Sequence, residues 1–208
     1  MVKKTTQQDI SNVFAPLELD LTYKGPDVTV NPDHPLLMTW VGSHNYQPML
    51  GMRGIELREG SGERGYFEMH VIRCDEDRTF GWDEDRTFGW GNAAIGLATH
   101  DVRLHHRLGV TDNGCGWYSR GLTVSQTLRG FSEFKSACRL VNLKFRTGDM
   151  VGIMVDCREV PTVCLFMNGV QVCHVVVAQE GYGQVVYPAF CLHIAQIEIA
   201  SNSDLPIL

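Results

Sequence analysis

Gly148-Asp149-Met150-Val151-Gly152-Ile153-Met154-Val155-Asp156 and, a few residues on, Cys164-Leu165-Phe166-Met167-Asn168-Gly169-Val170 decide how this chain is read. Gly148-Asp149 supplies a turn. Val151, Ile153 and Val155 then alternate with Gly152 and Met154, so both faces of the run are apolar, the pattern of a buried strand. Cys157 to Pro161 makes a polar connection, and its proline cannot donate to a central ladder. Val163 to Met167 is a second strand. Asn168-Gly169 is the strongest short hairpin signal available, because both central turn residues need positive φ. Val170 to Val177 returns as a third strand, and the three antiparallel strands are expected at the centre of an all-β domain.

Outward from this stretch the same grammar repeats. Leu19 to Val30 holds a strand on each side of Gly25-Pro26, and Asn31 to Pro35 is a turn cluster. Leu36 to Val41 is a strand, followed by a polar loop from Gly42 to Pro48. In Arg64-Gly65-Tyr66-Phe67-Glu68-Met69-His70-Val71 the residues Phe67, Met69 and Val71 alternate with polar ones, as in a half-buried strand. Ala93 to Ala98, Val185 to Leu192 and Ile194 to Ala200 are further strands, the last with Ile197 and Ile199 inward. No 3.6-residue apolar period runs longer than about ten residues, so little helix is expected. Residues 1–20 read as an N-terminal arm with room for one short helix, and 21–208 as a single domain.

Asp75-Glu76-Asp77-Arg78-Thr79-Phe80-Gly81-Trp82 recurs unchanged as residues 83–90. Six acids and two arginines leave this insert at −4 of the chain's net −6. It reads as a lengthened, exposed, acidic hairpin loop, tolerated because loop extension costs little entropy. The alternative is a protrusion offered to a partner.

Bulk properties narrow the function. An isoelectric point near 5.7 argues against a dedicated nucleic-acid binder. Seven singly spread cysteines, no Cys-x-x-Cys pair and no signal peptide suggest reduced thiols and a cytoplasmic or nuclear protein. No apolar run approaches the roughly 20 residues of a membrane-spanning helix. His100, His105 and His106 complete no zinc ligand set and read as solvated loop histidines. Neither a nucleophile elbow nor a phosphate loop is present. No catalytic residue, metal ligand or cofactor is expected, and the chain is read as non-enzymatic.

Ordered landmarks resemble the SPRY (B30.2-like) domain family. They are Arg64-Gly65-Tyr66-Phe67-Glu68, Ile95-Gly96-Leu97-Ala98-Thr99, Gly116-Trp117-Tyr118, Gly148-Asp149-x-Val151-Gly152, Asp156, Phe166-x-Asn168-Gly169 and Tyr187-Pro188. The resemblance implies a two-layer antiparallel β-sandwich of concanavalin-like, jelly-roll type, with no catalytic centre. It also implies recognition of a short partner-protein segment by loops at one edge, as a component or scaffold of a larger complex. Carried onto this chain, the ubiquitin-ligase adaptors' peptide surface would use His44, Asn45, Tyr46 and Gln47, then Thr99 and Asp101, then Tyr118 and Arg120. Trp117 would fill the core, with Tyr118 and Arg120 in a loop after it. The adaptors' Arg-x-Pro is replaced by Ser43-His44-Asn45-Tyr46, and their Trp-Gly-Trp by Trp117-Tyr118-Ser119, so their particular ligand is not carried over. Two rivals stand beside protein recognition: a ribonucleoprotein subunit touching RNA, disfavoured by the acidity, and a lectin-like carbohydrate binder. A monomer is assumed.

Overall fold

The computed structural model describes residues 18–41, 47–74, 93–103, 106, 108–109, 113–119, 121–124, 128–131, 144–193 and 195–200. The N-terminal arm before Glu18, the duplicated segment 75–90, and His44, Asn45, Tyr46 and Arg120 lie outside the described residues.

Among the described residues fourteen strands form two antiparallel sheets of seven. The first sheet holds β1 (Leu19–Lys24), β4 (Gln47–Gly51), β13 (Val185–Leu192), β7 (Ala93–Ala98), β8 (Gly114–Tyr118) and β9 (Gly121–Val124) in that order, with β5 (Ile55–Glu56) also paired to β13. The second runs β12 (Val170–Val176), β11 (Thr162–Met167), β10 (Met150–Asp156), β6 (Arg64–Cys74), β14 (Ala195–Ala200), β3 (His34–Trp40) and β2 (Val28–Asn31). One 3₁₀ turn, Gln179–Gly181, precedes β13.

Period-2 patterning builds the interface between the sheets. Phe67, Met69 and Val71 of β6, Val151, Ile153 and Val155 of β10, and Ile197 and Ile199 of β14 are buried against Ile95 and Leu97 of β7, Trp117 of β8 and Phe190 of β13. Trp117 is fully buried, with Phe145 edge-on at 5.7 Å. Burying each such side chain contributes about 1.5–3 kcal/mol.

Asn168 (φ 51°) and Gly169 (φ 78°) close the β11–β12 hairpin in the left-handed conformation that the sequence demanded. The Asn168 side chain does more than turn: its Oδ1 accepts from Met150 N at 2.8 Å, and its amide donates to Asp149 Oδ1 at 3.0 Å. Asp149 Oδ2 in turn accepts from Arg146 N at 2.8 Å, so two turns distant in sequence are joined. Gly152 leaves room for an aromatic ring; a Cβ there would stand 2.7 Å from the Tyr66 hydroxyl.

Three expectations are corrected. The β10–β11–β12 run is not the centre of its sheet, because β6 and β14 occupy the middle and β12 is an edge. The duplicated segment does not lengthen a hairpin: β6 and β7, which flank it, lie in opposite sheets. Gln47 and Pro48, expected in a loop, open β4. Pro188 stands inside a central strand without a lost ladder bond to explain. Pairing with β5 stops at Val186 and pairing with β4 begins at Ala189, so its missing N–H falls in a gap.

Candidate functional site

Strand register separates the expected contact residues. At one end of the first sheet Gln47 pairs with Leu192 and Leu192 with Ala93, while Ala94 pairs with Tyr118. Thr99 leaves the opposite end of β7, after Ala98, which pairs with Tyr187 and Gly114. Six residues along a strand are about 20 Å at ~3.3 Å per residue. Gln47 therefore cannot share one small contact surface with Thr99 and Asp101.

Tyr118 is a second correction. It lies on β8, not in a loop, and is completely buried. Its ring sits on the outer face of the first sheet with Leu50, Ala94, Ala98, Ala189 and Cys191, beneath Val102 and Leu108 of the β7–β8 connection. The Tyr118 hydroxyl donates to Leu108 O at 3.2 Å. The surrounding glycines, which suggested a loop, instead let backbone approach backbone. A Cβ at Gly96 would fall 1.9 Å from Cys115 O, and one at Gly116 would meet Leu108 Cβ at 3.0 Å. Tyr118 thus anchors the connection above it and offers no surface of its own.

The connection ends in a well-tied rim. Thr99 N donates to Asn113 O at 2.8 Å, and Val102 N to Thr99 O at 3.2 Å. The Thr99 hydroxyl donates to the Asp101 carboxylate, whose other oxygen accepts the Asn113 amide. This is the turn-capping chemistry of Thr and Asp, and it leaves Asp101 exposed and Thr99 half-buried. Between them the exposed His100 ring stacks on Tyr23 of β1 at 4.7 Å and meets Tyr187 of β13 edge-on at 5.6 Å. Tyr23 donates to Val102 O at 2.6 Å, fastening the edge strand to the connection. Asp20 accepts from Thr22 and Tyr23. The Thr22 hydroxyl first, with the two backbone N–H groups and nearby His100, holds its carboxyl below the usual range, outweighing the upward push of burial. Val185, 41% exposed, shares the outward face of β13 with Tyr187, and Met52, 58% exposed, continues the outward face of β4.

Thr99 and Asp101, carried over from the family resemblance, stand here beside Tyr23, His100 and Tyr187, which the sequence reading did not name as contacts. Only register brings β1, β13 and the β7–β8 connection together, so no local signal marked them. On the second sheet, at the same end, Asp156 receives Arg158 Nη2 at 2.6 Å and faces Arg64 Nε at 3.3 Å. Burial pushes this carboxyl up, but the Arg158 hydrogen bonds and the two guanidinium charges outweigh it and bring it below the usual range. Among the described residues no group of three or more His, Cys, Asp or Glu is placed to hold a metal ion. No helix among them is long and apolar enough to cross a membrane. Six of the seven cysteines are described, all as buried thiols, and burial pushes the Cys115 thiol up to about 12.

Among the described residues the chain is two facing antiparallel sheets with a polar and aromatic rim at one end. The SPRY domain family matches residues 66–204, about two thirds of the chain, and the chain belongs to that family. Its members are in general protein–protein interaction modules, non-catalytic ones. No curated protein matches the sequence. Solved structures share the fold at low identity. A human SPRY domain is 15% identical, with 86% of this chain and 98% of that one covered and a TM-score of 0.54. The SPRY domain of human HERC1 is 14% identical, with 89% and 99% covered and a TM-score of 0.57. The TRIM65 PSpry domain is 10% identical, with 98% and 100% covered and a TM-score of 0.56.

Proposed function

We propose that this domain holds a short extended segment of a partner protein against the rim formed by Tyr23, Thr99, His100, Asp101 and Tyr187. One observation carries the reading: the His100 ring meets both the Tyr23 and the Tyr187 rings, and the three stand partly open beside exposed Met52 and Val185. Tyrosine and methionine are enriched at interfaces, tyrosine because it presents large amphipathic area at low entropic cost, methionine because its flexible thioether adapts to irregular surfaces. The rim is pre-organised by the Thr99–Asp101–Asn113 bonds and by the buried Tyr118 anchor, so little ordering is needed on binding. Thr99 and Asp101 set the geometry and present a carboxylate, and the rings provide the area.

The test is affinity capture of partners from a native lysate, with quantitative mass spectrometry, using wild type, His100→Ala with Tyr187→Ala, and Arg120→Ala. Loss of a specific partner in the double variant, with its thermal melt intact and Arg120→Ala unaffected, supports the rim. Loss in Arg120→Ala alone would move the site away from this rim and defeat the assignment.

A further inference from the structure

Carboxylates bracket the rings of the rim. Exposed Glu18 and half-buried Asp20 stand on the β1 side, where Met52 N donates to Glu18 O at 2.8 Å. Exposed Asp101 follows His100 on the side of the β7–β8 connection. Asp20 accepts from Thr22 N at 2.9 Å, the Thr22 hydroxyl at 2.5 Å and Tyr23 N at 3.2 Å, all on Oδ1, and no described residue donates to Oδ2. Asp101 accepts from the neutral Thr99 hydroxyl and Asn113 amide. Among the described residues none of these three carboxylates is ion-paired. Two exposed guanidiniums, Arg53 after Met52 and Arg103 after Val102, border the rim, so three acids against two bases leave it negative, as the whole chain is at −6. The rings themselves are fixed. Tyr23 is tied to Val102 O at 2.6 Å, and Tyr187 lies over Gly54, where a Cβ would stand 2.9 Å from its Cζ.

We infer, on the reading that this rim is the partner site, that the segment it holds carries a basic side chain, arginine or lysine, laid over the Tyr23–His100–Tyr187 rings with the Asp20 carboxylate as its counter-ion. Two attractions act on the same group. The negative face of an aromatic ring draws a guanidinium or ammonium, and Asp20 Oδ2 offers it a charge-assisted hydrogen bond. Asp20 stays ionised at neutral pH, because its carboxyl is held below the usual range. Its bonds to Thr22 and Tyr23 also fix it in place, so no ordering is needed on binding. Of the two cations a guanidinium fits better, since it is planar, stacks on tyrosine and forks toward a carboxylate. An acidic segment or a phosphate would face the same three carboxylates, so the charge that attracts the one repels the others.

Backbone-amide NMR of the isotope-labelled full chain at low salt provides the test, with N-acetyl-arginine amide, N-acetyl-lysine amide and uncharged N-acetyl-citrulline amide as probes. A cationic probe should shift the amides of Tyr23, His100, Asp101 and Tyr187 and saturate in the millimolar range of a single side chain. The tighter of the two names the cation, and the citrulline probe should leave these amides in place. Asp20→Asn keeps Oδ1 for Thr22 and Tyr23, and with an unchanged melt it should weaken the cationic probe about tenfold, the loss of one charge-assisted hydrogen bond. No shift at the rim with either cation at its highest soluble concentration overturns the inference. So does citrulline binding as tightly as arginine, or Asp20→Asn binding as the wild type does. The partner site is judged separately, by capture with His100→Ala and Tyr187→Ala. A partner lost in that double variant but kept by Asp20→Asn leaves the rim standing and removes the cation.

Discussion

Replacing Tyr118 separates an anchor from a contact. If its side chain met a partner at the surface, truncation would abolish binding at almost no cost in stability. The structure instead buries the whole ring, under Leu108 and Val102 and against Ala94, Ala98 and Ala189. Tyr118→Ala should therefore cost about 3–5 kcal/mol, the range for removing a large buried aromatic and leaving part of its volume empty. Tyr118→Phe keeps the ring and loses only the hydroxyl bond to Leu108 O, worth about 1 kcal/mol. For a chain of 208 residues each kcal/mol moves the melting temperature by about 2–4 °C. Urea unfolding followed by tryptophan fluorescence gives the two values. Hydrogen exchange in Tyr118→Phe should quicken first in the β7–β8 connection, because the lost bond ties that segment to the sheet. A Tyr118→Ala protein less than about 1 kcal/mol below wild type would refute the argument, since a truly buried ring cannot be removed so cheaply.

Two further outcomes follow from single groups. Gly96→Ala puts a Cβ 1.9 Å from Cys115 O, well short of the about 3.3 Å at which carbon and carbonyl oxygen meet across strands. Backbone cannot rotate aside, so a loss of about 3 kcal/mol or more is expected in urea unfolding; near-wild-type stability would show that β7 and β8 are not so closely set. Asp156 is held below its usual range by Arg158 and Arg64, despite burial, whereas in the unfolded chain it titrates at about 3.9. Its contribution is complete above that value and is lost as pH falls through the lower folded one. Asp156→Asn should flatten the acid side of the stability–pH curve, and a curve merely displaced in parallel would disprove the role of this carboxylate.

Much of the architecture was legible because it rests on local chemistry. Alternation in β6 and β14 names the inward residues, since a strand's side chains must point to opposite faces. Asn168-Gly169 names its hairpin, since few other pairs accept positive φ twice in succession. Gly148-Asp149 and Trp117 were read correctly as turn and core. Tyr118 was not, because glycine in sequence has two meanings: a flexible connection, or a strand pressed against another backbone. Only the neighbour across the sheet, Cys115 O beside Gly96, distinguishes them.

Thr99 and Asp101 could be picked from the chain because a Thr-x-Asp turn carries its own bonds. That they stand about 20 Å from the Gln47 end, and beside Tyr23 and Tyr187 instead, depends on which strands pair and in what register. Sequence alone settled the class of fold, the turns and most of the buried faces, all of which arise from neighbours along the chain. Which strands end each sheet, and which rings meet at a rim, were decided only by the closed sandwich, because those contacts join residues far apart along the chain, His100 to Tyr23 and His100 to Tyr187.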